Sequence, residues 1–158
     1  MSILSFYFNP AGRISRSQFW LGFIGLILIE VLFNYWMAVS LFGRDWLEAQ
    51  SAPLAKPALQ LSALVNVIFL FPNYVVFGKR FHDRSKSAMW ALIIIAADLL
   101  AIGLTLLGLI GPIDHPSPIA MAAGGLQLLV LLWVIIELGC LRGTPGVNTY
   151  GPDPLARP

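Results

Sequence analysis

Two groups of residues in this sequence are of types that do chemistry. The first is a set of polar side chains inside apolar stretches: the carboxylates Glu30, Asp98 and Glu137, with the amides Asn34 and Asn66. Glu30 falls near the middle of residues 19–42, Asn66 of 58–77 and Asp98 of 89–110. A charge at mid-bilayer costs about 2.5–3.5 kcal/mol on insertion scales, so such residues mark a polar core or an ion pathway. The second group is the segment 78–88, where Lys79, Arg80, Arg84 and Lys86 surround His82-Asp83. A basic segment beside a membrane attracts anionic headgroups or phosphates. His82-Asp83 is also an acid–base or metal-binding combination. Adjacent side chains rarely converge on one atom, however, and no second His or Cys cluster completes a metal site. The plainer reading is a topology-setting loop in which Asp83 pairs with an arginine.

The elements that must position these residues are four long apolar stretches, at 19–42, 58–77, 89–110 and 119–141. A helix needs about 20 apolar residues to cross a bilayer core. The composition agrees, with 58% hydrophobic and 11% charged residues, against about 25% charged in soluble domains. The expectation is an all-α integral membrane protein, a four-transmembrane-helix bundle forming a single domain over 1–158. Its helices are expected at about 16–42, 58–77, 89–110 and 119–141, with an arm 1–15, a loop 78–88 and a tail 142–158. The first stretch is far longer than the roughly 7–15 apolar residues of a signal peptide and reads as a retained helix. Ser15 and Gln18 form a capping-box pattern that starts this helix near Arg16.

Helical periodicity puts the polar residues on stripes. Asn34 is one turn from Glu30; Ser62, Asn66 and Asn73 share a face; Asp98 shares one with Ala101, Thr105 and Gly108. Such stripes turn inward and hydrogen-bond across a bundle. The reading preferred for Glu30, Asn34, Asn66 and Asp98 is a structural polar core, and the alternative is a proton or cation path. Glu137 reads as a snorkelling interfacial acid. Cys140, the single cysteine, reads as a small buried apolar residue.

The ten Lys and Arg are unevenly placed: eight lie in the arm, the second loop and the tail, and two, Arg44 and Lys56, in the first loop. Positive loops stay in the cytoplasm, so both termini are expected there. Trp20 and Trp90 fall at that interface, with Trp36 and Trp46 at the opposite one. The cations are too few and too tied to membrane flanks for a nucleic-acid face, so no nucleic acid is expected.

Three motifs resemble those of a known family. Gly12-Arg13-Ile14-Ser15-Arg16-Ser17-Gln18-Phe19-Trp20 is similar to the GRISRxxFW opening of the small bacterial inner-membrane proteins called domain of unknown function 805. Lys79-Arg80-Phe81-His82-Asp83-Arg84-Ser85-Lys86-Ser87-Ala88-Met89-Trp90 resembles its RRLHDxxxSGWW loop. Gly143-Thr144-Pro145-Gly146-Val147-Asn148-Thr149-Tyr150-Gly151-Pro152-Asp153-Pro154 resembles its GxxGxNxYGxDP tail. Lys79, Phe81 and Ala88-Met89 depart from the pattern, and a lysine is a point charge where an arginine is bidentate. The resemblance implies a multi-pass bacterial inner-membrane protein and brings no activity, cofactor or catalytic residue.

All three motifs then project to one face, and the tail is expected to fold over the basic loop and arm. Candidate anion, headgroup or partner-binding residues are Arg13, Arg16, Arg80, His82, Asp83, Arg84, Asn148 and Tyr150. The expected function is a non-enzymatic interaction or anionic-lipid-binding protein, without cofactor or metal. Its expected partners are membrane lipids and a second copy or another membrane protein. Alternatives are a small transporter or channel component using Glu30, Asn34, Asn66 and Asp98, and a membrane enzyme acting on lipid headgroups at His82-Asp83.

Overall fold

The computed structural model describes residues 2–43, 55–111 and 115–156. Arg44, Trp46, the Lys56 side chain and Arg157 lie outside the described residues. The elements are α1 (Ile3–Phe8), α2 (Arg16–Phe42), α3 (Ala55–Asp83), a 3-10 turn (Ala88–Trp90), α4 (Ala91–Leu106), α5 (Pro118–Val134) and a π-helical turn (Ile135–Cys140). Four helices among the described residues are long and apolar enough to span a membrane: Arg16–Phe42, Pro57–Asp83, Ala88–Leu106 and Pro118–Cys140. Large exposed apolar side chains such as Leu21, Leu32, Ile68, Leu129 and Ile136 face outward, as they must when hydrocarbon is the solvent.

α2 starts where the sequence places it. Ser15 caps Gln18 N, and the Gln18 side chain returns a bond to the Ser15 N–H. α3 differs. Hydropathy ends at Phe77, but the helix continues to Asp83. It runs through Pro72 and delivers Lys79 to Asp83 as its last turn and a half, so the loop expected at 78–88 shrinks to 84–87. Arg80 and His82 in this turn favour the negative end of the helix dipole. Ser85, with φ 55°, ends the helix in a left-handed turn closed by Ser85 N to His82 O (3.0 Å) and Lys86 N to Phe81 O (2.9 Å).

The same device shortens α4, which was expected to reach 110. Gly108, with φ 70°, adopts the left-handed conformation, and Leu109 N closes on Leu104 O at 2.9 Å. Gly108 is therefore a helix stop and not part of a packing stripe. α1 was not expected at all. Six residues are too few for a stable isolated helix, and docking holds it. The Phe6 ring occupies the space a Cβ on Gly22 would need, Tyr7 Oη donates to Gly22 O (3.2 Å), and Lys79 Nζ donates to Ser5 O (2.7 Å) and Phe6 O (2.9 Å).

Packing is sequential: α2 against α3, α3 against α4, α4 against α5. α2 meets the last helix at its π-helical turn, while α2 and α5 themselves do not pack closely. An aromatic and aliphatic core of Ile14, Phe19, Phe77, Phe81 and Leu138 fills the end of the bundle where both termini meet.

Candidate functional site

Asp83 is the centre of that end. Its carboxylate is held by Arg13, at 3.0 Å from Nη2 and 3.1 Å from Nε, and by Arg80 Nη1. All five N–H groups of Arg13 have acceptors. Two go to Asp83 Oδ1, and the others to Gly146 O (2.7 Å), Gly151 O (3.2 Å) and Thr144 O (2.6 Å). The side chains of Arg13 and Arg80 are 1% and 0% exposed. Neither has a face left for a phosphate. These two arginines serve the fold, and the headgroup role expected of them has no room here.

Arg80 ties the lock to the last helix. Nε donates to Leu138 O (2.7 Å) and Nη2 to Leu141 O (2.7 Å). The carbonyls between them are also taken, Gly139 O by Trp20 Nε1 (3.3 Å) and Cys140 O by Arg16 Nη1 (3.1 Å). A helix leaves its last four carbonyls without internal partners. Here four consecutive side-chain donations satisfy them, three from cations that also complement the helix dipole. Cys140 itself, the last residue of the π-helical turn, is exposed, contrary to the buried reading.

The tail closes over α3. Thr144 N and Oγ1 both donate to Asp83 O, at 2.8 and 2.9 Å. Asn148 Nδ2 donates to His82 O at 2.9 Å, and Tyr150 stacks on the His82 ring with centroids 3.9 Å apart. His82 Nδ1 lies 3.1 Å from Gly12 O, joining the arm to the same stack. The N–H groups of Leu155 and Gly146 hold the Asp153 carboxyl below the usual carboxylate range. His82 and Asp83 thus work as separate fasteners and form no acid–base pair.

Glu137 is corrected. It is buried, with Oε1 accepting from Arg84 Nε (2.8 Å) and Lys86 Nζ (2.6 Å). Arg84 therefore belongs to this second ion-pair group and not to the Asp83 lock. The only hint in the sequence is the position of Glu137 five residues before Arg142; that its partners come from the segment after α3 is a tertiary fact.

The mid-span polar residues converge on a separate feature, a cleft of about 720 Å³ between the helices. Glu30, Ser62, Asn66, Asn73, Asp98, Thr105 and Gln127 are on its wall. The Asn66 amide, oriented with its nitrogen toward Glu30, reaches Glu30 Oε1 and Ser62 O at 3.0 Å each. Asn34 does not line the cleft; its amide bonds to Glu30 O (3.0 Å) and lies 3.3 Å from that of Asn66. Asp98 was expected to find an asparagine and instead accepts from Gln127 Nε2 at 2.7 Å. Gln127, a mid-span amide in the fourth stretch, was legible by the criterion that selected Asn66 and went unread. Among the described residues no group of three or more His, Cys, Asp or Glu is placed to hold a metal ion.

The sequence matches the family described as Protein of unknown function (DUF805) over residues 7–152. It is 33% identical over 154 residues to "Uncharacterized protein YiiR" of Escherichia coli strain K12, covering 97% of this chain and 90% of that one. It is 25% identical over 159 residues to "Inner membrane protein YhaH" of the same strain, covering 100% and 97%. No solved structure matches.

Proposed function

Because this chain belongs to the DUF805 family and carries four helices able to cross a bilayer, it is a multi-pass inner-membrane protein, and we propose that it is a non-enzymatic one that binds a small ligand in the cleft between its helices. One observation carries the reading. Both mid-span carboxylates, Glu30 and Asp98, stand on the wall of a single cavity, flanked by amides and hydroxyls. Intramembrane acids are costly and are retained for a partner or a path. A cavity of this size falls in the roughly 300–1,000 Å³ range of small-molecule sites. The Asp83 lock then has a structural role, keeping one end of the cleft shut. A transporter would need that end to open, and the lock is the element that would have to release.

The experiment is thiol accessibility in native membranes. In a Cys140→Ser background, Ser62→Cys on the cleft wall is expected to react with a small membrane-permeant thiol reagent. Val76→Cys, at a fully buried core position outside the cleft, is expected to stay protected. Equal protection of the two positions overturns the reading.

A second reading keeps the anionic-lipid role on different residues. Seven cations at this end (Arg13, Arg16, Lys79, Arg80, Arg84, Lys86, Arg142) face three carboxylates, Asp83, Glu137 and Asp153. Arg16 and Arg142 are exposed and suit contact with anionic headgroups. On the same asymmetry both termini are expected in the cytoplasm. Reporter fusions after Arg157 and within 79–87 are expected to report cytoplasm, and one near Glu48 the opposite side. A C-terminal fusion reporting outside reverses this assignment.

A further inference from the structure

The wall of the cleft is chemically one-sided. Its ionisable groups are the Glu30 and Asp98 carboxyls; its other polar side chains are amides and hydroxyls, and no Lys, Arg or His is among its lining residues. An occupant with an anionic or acceptor-only head would face carboxyls with no cation to offset them, which selects against it. A primary ammonium carries one positive charge and three donors and no acceptor. That matches two carboxyls beside amide and hydroxyl oxygens.

The rest of the wall is apolar, with Phe23 and Ile27 from α2 and Leu128 and Leu131 from α5. These two helices do not pack closely on each other, and α2 meets the last helix mainly at the π-helical turn. Both are membrane-spanning segments, so the side of the cleft they flank lies at the depth of the bilayer core. Outside the cleft's lining, the Arg80 and Trp20 bonds to Leu138, Gly139 and Leu141 tie α3 and α2 to the last helix. A ligand entering here comes from the membrane and carries hydrocarbon.

Resting on the cleft as the site, we propose that its ligand is a membrane-dissolved cationic amphiphile. The ammonium sits on the wall shared by Glu30 and Asp98, and the hydrocarbon chain lies along the gap between α2 and α5. A helix from a second copy is the rival occupant. The spanning parts of α2, α4 and α5 carry no Lys or Arg inside them, so these helices of a second copy bring no cation to this wall.

The test is binding of dodecylamine to the purified full chain in phosphatidylcholine nanodiscs, counted by native mass spectrometry, with dodecanol and dodecanoate as neutral and anionic controls. The expected result is saturable binding of the amine, about tenfold or more tighter than either control. Asp98→Asn and Glu30→Gln, which keep a hydrogen-bonding group of the same shape, are each expected to weaken it by about tenfold. Gly124 lines the cleft with nothing within 4 Å of its missing Cβ. Gly124→Leu is therefore expected to block binding with both carboxyls intact. Equal binding of amine and dodecanol, indifference to all three substitutions, or a dimer with the second copy sealing the cleft overturns the proposal. Reaction at Ser62→Cys without amine selectivity defeats the ligand class alone; protection at Ser62→Cys defeats the cleft reading beneath it.

Discussion

Asp83→Ala is expected to destabilise the protein by about 3–5 kcal/mol and to free the tail, because it strips the shared counter-ion from two buried arginines. Removing one partner of a buried ion pair leaves a buried charge without its counter-ion, which sets that magnitude. Here the orphaned charges are Arg13 and Arg80, with side chains 1% and 0% exposed. Arg13 then has only the Gly146, Gly151 and Thr144 carbonyls, and those carbonyls are neutral. The readouts are the thermal unfolding midpoint in detergent and the rate of tryptic cleavage after Arg142. Asp83→Asn keeps the shape without the charge and is expected to lose most of the same stability. A midpoint unchanged in both variants would falsify the assignment of Asp83 as the centre of the lock. An exposed surface pair contributes only about 0–1 kcal/mol, so the measured size separates the two situations.

Gly143→Ala is expected to open the same lock from the other side. A Cβ at Gly143 lands on the Asp83 carboxylate, 2.5 Å from Cγ and 2.9 Å from Oδ1 and closer still to Oδ2. Asp83 has no freedom to retreat, since Arg13 and Arg80 fix both of its oxygens. The backbone has little, since Thr144 N is bonded to Asp83 O at 2.8 Å. Overpacking of this kind costs about 1–3 kcal/mol. Cleavage after Arg142 is expected to accelerate while helix content by circular dichroism stays unchanged. Because Gly143→Ala and Asp83→Ala break one network, their combination is expected to cost less than the sum of the two. Gly125→Ala, in open space within α5, is the matched control and is expected to leave the tail protected. Slow cleavage in Gly143→Ala, equal to that of the unsubstituted chain, counts against the tail being wedged at Asp83.

What depends on the solvent and on local rules was legible from the residues alone. Four continuous apolar stretches of about 20 residues point to helices, because a helix satisfies its own backbone within one such segment. The Ser15–Gln18 box fixed the start of α2, as it does in the structure. Mid-span Glu30, Asn66 and Asp98 were legible as one inward set because a polar group in hydrocarbon must find a polar neighbour. Helix ends were less legible, because hydropathy reports the membrane boundary and not the helix boundary. α3 outruns its apolar stretch by six residues, from Gly78 to Asp83, and α4 stops short of its own at Gly108.

Which partner each charge takes depends on how the chain folds. Arg13 and Asp83 are 70 residues apart in the chain and Arg80 and Leu138 are 58 apart, and no local pattern links such distances. Folding brings α3's last turn beside the open carbonyls of the π-helical turn. There Arg80 takes Asp83 and the Leu138 and Leu141 carbonyls, Trp20 and Arg16 take the two carbonyls between, and Arg13 joins Asp83 to the tail. Arg13 and Arg80, two of the cations that the sequence marked as a binding surface, are therefore consumed in holding the chain together. The same packing leaves α2 and α5 apart and so makes the cleft, which depends on how helices stack rather than on what any one of them contains.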